Sequence, residues 1–308
     1  MAGICEGRVV IVTGAGRGIG RSHALEFAAQ GAKVVVNDLG ANVDGTGADA
    51  GPANEVVSAI KDMGGEAIAN GDDVSDFEGA KRLIDTAIST FGGLDVLVNN
   101  AGILRDRMLI NMTPEEWDAV IRVHLRGTYA PSHHAAVYWR ERAKAGETND
   151  ARIINTSSAS GIYGNVGQTN YGAAKAGIAA FTIIAAMELG RYGVTVNAIA
   201  PGALTRMTEG LRPDRPAVAP DQFDARSPDN IAPLVVWLGS KESAGITGRV
   251  FNVSGGRISV AEGWHAGVGV DKGDRWDPAE LGKVIPDLVA KAAPNATMSG
   301  ERVQRASS

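Results

Sequence analysis

A short β-branched run, Arg8 to Thr13 (RVVIVT), passes directly into Gly14-Ala15-Gly16-Arg17-Gly18-Ile19-Gly20, and an amphipathic stretch then reaches Gln30 before Gly31. An apolar run without polar alternation predicts a strand covered on both faces. The stretch after it predicts a helix closed by Gly31 as its C-terminal cap. Glycines at the turn let the backbone approach a pyrophosphate, and the helix N-terminus offers that anion unpaired N–H groups and a positive dipole. A glycine-rich loop alone is weak evidence; one that follows a strand and opens a helix is strong. Gly14, Arg17, Gly18, Ile19 and Gly20 are therefore candidate contacts for a dinucleotide.

The rest of the chain repeats the alternation. Lys33 to Asn37 (KVVVN) predicts a second strand, and Asp38 ends it, eighteen residues after Gly20. A carboxylate there suits the ribose diol of NAD and repels the 2′-phosphate of NADP. Arg17 and Arg21 would pair with that phosphate, so NAD is expected and NADP stays open. Residues 40–53 (GANVDGTGADAGPA) are polar and Gly-rich, and are expected to form a surface excursion of low order; folding over the adenosine is the alternative. Strands follow at Glu66 to Asn70, Leu94 to Val98, Arg152 to Thr156, Val194 to Ile199 and Val250 to Val253, with helices between them. Ser75 and Glu78, Thr113 and Glu116, and Asp277 and Glu280 have capping-box spacing. The fold class expected is α/β: a Rossmann-type, doubly wound parallel sheet of about seven strands. One domain, residues 7–262, would carry it, with a partly helical C-terminal extension over 263–308 whose last ten residues are expected to be disordered. Trp264 and Trp276 are too apolar for a free tail, so the extension should dock on the body or on a neighbouring subunit.

Ile153 to Phe181 carries the chemistry. Tyr171 and Lys175 are four apart on an expected helix, so phenol and ammonium share a face. A tyrosine titrates near ~10 in water, and a nearby cation would lower that value toward useful proton transfer. Ser158 lies thirteen residues before the tyrosine, at a strand end, where it would hold an oxygen gaining negative charge. A Tyr-Lys pair at this spacing is common on solvated helix faces; the upstream serine and the glycine loop are what make it a candidate catalytic group.

Taken together, Thr13-Gly14-x-x-x-Gly18-x-Gly20, Asn99-Asn100-Ala101-Gly102, Ser158/Tyr171/Lys175 and Pro201-Gly202-Ala203-Leu204-Thr205 resemble the short-chain dehydrogenase/reductase family, over roughly Gly7 to Gly256. The resemblance implies hydride transfer between NAD and a secondary alcohol or ketone. Ser158, Tyr171 and Lys175 would be catalytic. Asp73 and Val74 would contact adenine, the asparagines of Asn99-Asn100-Ala101-Gly102 would brace the central strands while the backbone at Asn99, Ala101 and Gly102 lines the cofactor, and Pro201, Gly202, Leu204 and Thr205 would hold the nicotinamide carboxamide. Tyr171 and Lys175 would bind the cofactor as well. Arg206 to Arg226 would form a substrate lid, with Met207, Leu211 and Phe223 as apolar candidates. His124 departs from the family's usual asparagine; it is a candidate proton relay, and packing between helices explains it equally. VVVNDLG and IRVHLRG are similar to the (3R)-hydroxyacyl-CoA dehydrogenase region of peroxisomal multifunctional enzyme type 2. That implies an acyl-CoA thioester or a steroid-like alcohol as substrate. A 3-oxoacyl-carrier-protein reductase using NADPH, and a dinucleotide-binding scaffold without activity, are the alternatives. Family members are commonly homodimers or homotetramers, so an oligomer is expected.

Composition bounds the rest. A net charge of −5 speaks against a nucleic-acid partner. The single cysteine, Cys5, excludes an intrachain disulfide. The first residues lack the pattern of a signal peptide and no run of ~18 apolar residues stands out. A cytoplasmic protein without a membrane partner is expected. His133 and His134 read as helix surface, and no metal site is expected.

Overall fold

The computed structural model describes residues 3–204, 218 and 222–301. Strands and helices alternate through most of it: β1 (Val9–Thr13), α1 (Gly18–Ala29), β2 (Lys33–Asn37), α2 (Gly51–Asp62), β3 (Glu66–Asn70), α3 (Phe77–Phe91) and β4 (Val96–Asn99) form the first half. α4 (Pro114–Ile121), α5 (Gly127–Lys144), β5 (Ala151–Thr156), α6 (Ala159–Tyr163), α7 (Thr169–Leu189), β6 (Val194–Pro201), α8 (Ala232–Gly239), β7 (Val250–Ser254), β8 (Arg257–Ala261) and α9 (Pro278–Lys291) follow. The sheet order is β3-β2-β1-β4-β5-β6-β7-β8. β1 pairs in parallel with both β2 and β4, so the chain reverses direction across the sheet beside the glycine loop.

Parity along the strands explains their composition. Val10, Val12, Val34, Val36, Val96 and Val98 face one way, onto Phe27 of α1 and Val235 of α8. Val9, Ile11, Val35, Leu97 and Ile153 face the other way, onto Leu83 of α3 and Trp139 of α5. Both faces are covered, so β-branched residues run continuously instead of alternating with polar ones. The expected strands all form. An eighth is added: β8 turns back antiparallel on β7 after Gly255.

Local signals fare unevenly. Thr113 and Glu116 make the full capping box of α4, as Asp277 and Glu280 do for α9. The box expected at Ser75 does not form. Asp76 caps α3 by accepting from Gly79 N, while Ser75 donates to Asp73 Oδ1 at 2.6 Å. Thr169–Tyr192, which contains α7, is by length and composition apolar enough to cross a membrane, contrary to the expectation of no such stretch. In the fold α7 packs on β6 and α6, and buries Asn170, Lys175 and Thr182. The C-terminal extension departs more. Trp264 is 100% exposed and α9 buries none of its residues, so within one chain neither docks on the body, which leaves the neighbouring subunit of the expectation; Trp276 is half-buried. Its end does return to the body: a Cβ on Gly300 would lie 2.9 Å from the Tyr163 hydroxyl. Residues 299–301 of the expected disordered end are thus described, and 302–308 lie outside the described residues.

One buried ion cluster ties β1 to β5. Arg8 donates to Asp150 Oδ2 at 3.0 Å and Arg152 pairs with Asp150 Oδ1 at 2.5 Å, the two arginine side chains being 4% and 2% exposed. Asp150 itself is 41% exposed, and without its carboxylate Arg8 keeps the Asp150 carbonyl and Arg152 keeps Ser240 O and Ser243 Oγ. Asp150→Ala is therefore expected to lower the unfolding free energy by about 1 kcal/mol, read as a shift of the urea midpoint at unchanged slope.

Candidate active site

At the carboxyl ends of β1, β2, β4, β5 and β6 a cavity of about 610 Å³ opens. The glycine loop forms its floor. Gly14 and Gly18 hold φ of +62° and +53°, which only glycine adopts without cost. A Cβ on Gly14 would meet Ala101 Cα at 2.8 Å, and one on Gly20 would meet Gly14 O at 2.1 Å. No side chain caps the N-terminus of α1, so its first N–H groups are left for an anion.

Asp38 closes one end. Its Oδ2 accepts from Gly16 N at 2.7 Å and its Oδ1 from Gly40 N at 2.6 Å. Asp72 and Asp73 line the same end, but each is paired with an arginine, Arg82 and Arg122 respectively. Asp38 pairs with no cation among the described residues. Arg17 lines the cavity, whereas Arg21 is exposed outside it.

The segment after β4 divides its labour. Asn99 donates to Asn155 Oδ1 at 2.9 Å and to Ser132 Oγ at 3.0 Å, and Asn155 donates to Thr182 Oγ1 at 2.9 Å. These bonds brace β4, β5, α5 and α7 in the interior. The Asn99 side chain thus braces the central strands, as the family resemblance implies, and it is not among the residues that line the cavity. Asn100 lines the cavity instead, donating to Thr13 O and Gly14 O at 3.0 and 3.2 Å. Ala101, Gly102, Val74, Pro201 and Gly202 border the cavity, as does Ala203, which the sequence did not single out. Leu204 is not among the lining residues and donates its N–H to Arg226 O at 2.8 Å. Thr205, Met207 and Leu211 lie outside the described residues, and Phe223 is exposed.

Ser158, Tyr171, Lys175 and His124 converge on the opposite wall. Ser158 stands at the carboxyl end of β5, its Oγ accepting from Ser160 N at 3.1 Å. Tyr171 and Lys175 sit on one face of the first turns of α7. Lys175 Nζ donates to Thr156 O at 2.6 Å and lies 5.5 Å from the Tyr171 ring centre. A π-helical turn, Arg122–Arg126, joins α4 to α5 and carries His124. The imidazole meets the Tyr171 ring edge-on at 5.1 Å. Its Nε2 lies 3.1 Å from Ile103 N and 2.8 Å from Ile103 O, and its buried Nδ1 has no partner among the described residues.

Burial dominates the electrostatics here. It pushes Tyr171 up to about 12, with a hydrogen bond from Ser158 acting in the opposite direction and Asp106 adding to the rise. It pushes Lys175 down to about 7. It pushes His124 down to about 3, helped by Lys175 and opposed by the Ile103 backbone. The phenol lowered by its lysine, expected from spacing, is therefore not what these protein groups produce by themselves: desolvation outweighs the hydrogen bond from Ser158.

The family model for short chain dehydrogenases matches residues 8–216. The chain belongs to the short-chain dehydrogenase family. The crystal structure of a short chain dehydrogenase from Mycobacterium avium is 58% identical to it, with a TM-score of 0.86 over 96% of this chain and 98% of that one. Hydroxyacyl-CoA dehydrogenase ChsB1 of Mycobacterium tuberculosis is 43% identical, the match covering 97% of this chain and 94% of that protein. Mouse peroxisomal multifunctional enzyme type 2 is 47% identical over 82% of this chain, which spans only 32% of that longer protein.

A short-chain dehydrogenase binds NAD or NADP, whose nicotinamide ring gives or takes the hydride. The glycine floor, the uncapped α1 terminus and the fastened Asp38 fit such a dinucleotide. Ala41, Asn42, Val43 and Gly45 line the cavity, so the first part of residues 40–53 follows the alternative reading, over the cavity, rather than the expected surface excursion. Sequence reasoning missed other parts of the wall. Gln168 lines the cavity and donates to Asp106 Oδ2 at 2.7 Å while accepting from Ser160 Oγ. Its place three residues before Tyr171, at the start of α7, was the available signal. Met298, from the far end of the chain, had none.

Proposed function

We propose that the chain is an NAD-linked dehydrogenase that interconverts a secondary alcohol and a ketone, with a 3-hydroxyacyl-CoA thioester as its substrate. The observation that carries the nucleotide assignment is Asp38, a carboxylate held by two backbone N–H groups that forms no ion pair among the described residues. Fixed negative charge there favours a ribose diol and opposes a phosphate. The substrate class rests on similarity along nearly the whole chain to a protein named as a hydroxyacyl-CoA dehydrogenase.

In the reaction, Tyr171 Oη exchanges a proton with the substrate oxygen, giving it during reduction and taking it during oxidation. Ser158 Oγ donates a hydrogen bond to that oxygen as charge builds on it. Lys175, fixed by Thr156 O, places positive charge beside the phenol when protonated. The proton leaves toward solvent past Lys175 and His124 Nδ1. Tyr129, Ile183, Ile184 and Met187 are exposed on α5 and α7, which supports a homodimer or homotetramer packed through these helices.

Absorbance of NADH during turnover of a 3-hydroxyacyl-CoA panel tests the reading, with steroid alcohols and acyl-carrier-protein thioesters alongside. NAD should outperform NADP in the wild type. Asp38→Ala should lower kcat/KM for NAD by about 10–100-fold, the range for a lost hydrogen bond to a charged group, and spare NADP. A wild type that prefers NADP would overturn the assignment.

A further inference from the structure

Residues 41–45 bridge the two lips of the cavity. They leave the sheet after β2 and return at once, because Asp49 N donates to Leu39 O at 3.1 Å. The excursion is ordered by its own bonds: Asn42 N donates to Thr46 O at 2.8 Å, Gly45 N to Asn42 O at 3.0 Å, and Thr46 N to Asp44 Oδ1 at 2.9 Å. Gly45 turns at φ +88°, and a Cβ there would sit 3.1 Å from Ile103 Cδ1, so the turn rests on the loop after β4. Two further bonds fasten it to that loop. Leu104 N donates to Val43 O at 3.0 Å, and Arg105 Nε donates to Asp44 O at 2.9 Å. The receiving loop is itself anchored, through Ile103 at His124 and through Arg107 N, which donates to Gly167 O at 2.9 Å. The glycine floor therefore lies below the cavity and a clasped strap lies across it, with Ala41, Asn42, Val43 and Gly45 facing inward.

We propose that residues 41–45, clasped by Leu104 and Arg105, are part of the dinucleotide-binding site and hold the bound cofactor in place. The inference rests on the reading that this cavity takes a nicotinamide dinucleotide. Release requires the clasp to open, so breaking the clasp shortens the cofactor's stay. A clasp made mainly of two hydrogen bonds sets the scale of the effect.

The test is stopped-flow fluorescence of bound NADH, displaced by excess NAD, on the full chain. Arg105→Ala removes one tie. Excising residues 41–48 and joining Gly40 to Asp49 removes the strap, at a point where its ends already touch. The dissociation rate is expected to rise about fivefold in Arg105→Ala, as for one lost hydrogen bond, and more than about tenfold in the excision. Should the excised chain fail to fold, Arg105→Ala decides the matter alone. Saturable NADH binding with release unchanged within about twofold, against the fivefold expected for one lost bond, overturns the clasp and leaves the dinucleotide reading standing. Absence of saturable binding by the wild type overturns that reading, and the clasp with it.

Discussion

Tyr171→Phe is expected to lower kcat by roughly 10³–10⁴-fold, the upper part of the range for general acid–base catalysis, while dinucleotide affinity stays within about threefold. The substitution removes one oxygen and leaves the ring, its edge-on packing with His124 and the position of Lys175 in place. What disappears is the only group in the proposed scheme that exchanges a proton directly with substrate. Ser158 cannot replace it, because its oxygen also accepts from Ser160 N and its own proton is required for the substrate oxygen. Burial gives the same residue a pH signature. With the phenol pushed up to about 12 by the protein alone, the protonated form dominates at neutral pH. Ketone reduction then finds its donor ready, whereas alcohol oxidation needs the deprotonated form and gains as pH rises. The positive ring of oxidised cofactor, with Lys175 when protonated, would pull that value down in the working complex. The measurement pairs steady-state turnover with NADH titration for wild type and Tyr171→Phe. Turnover preserved in the variant would remove Tyr171 from the chemistry.

What the sequence made legible was local. Gly14 to Gly20 could be read as a nucleotide loop because strand, turn and helix are contiguous, and Tyr171 and Lys175 could be paired because a helix fixes where i and i+4 point. Contacts closed by tertiary structure were not legible. Nothing in Asn99-Asn100 says which side chain turns inward; the pleat of β4 decides it, sending Asn99 to Asn155 and leaving Asn100 for the glycine loop. The composition of residues 40–53 left a solvated excursion and a fold over the adenosine both open; what it could not show is that the carbonyls of Val43 and Asp44 meet Leu104 and Arg105, about sixty residues away. Ser75 lost the cap of α3 to Asp76 because the helix starts at Phe77, one residue beyond its reach, and Ser75 Oγ accepts from Arg122 Nε instead. The raised phenol of Tyr171 has the same origin: spacing reports the neighbouring cation, and only the fold reports how much water has gone.

Gly20→Ala is expected to weaken NADH binding by about 10²-fold, corresponding to a strain cost of about 3 kcal/mol. The added methyl would lie 2.1 Å from Gly14 O and 2.5 Å from Asn100 Nδ2. Neither neighbour can move away cheaply. The Gly14 carbonyl belongs to a backbone turn at φ +62°, and Asn100 Nδ2 is held by Thr13 O as well as Gly14 O. Thr13 in turn holds Asn100 N and Ala101 N through its hydroxyl, at 2.9 and 3.1 Å. Relief must come from moving the loop off α1, which displaces the N–H groups that would meet a pyrophosphate. The same strain lowers thermal stability, so the melting temperature should fall together with affinity. Gly267→Ala, where a Cβ would meet nothing within 4 Å, serves as the control and should change neither. If Gly20→Ala binds NADH as the wild type does, with an unchanged melting temperature, the close approach of Gly14, Gly20 and Asn100 is wrong, and the cofactor floor built on it falls.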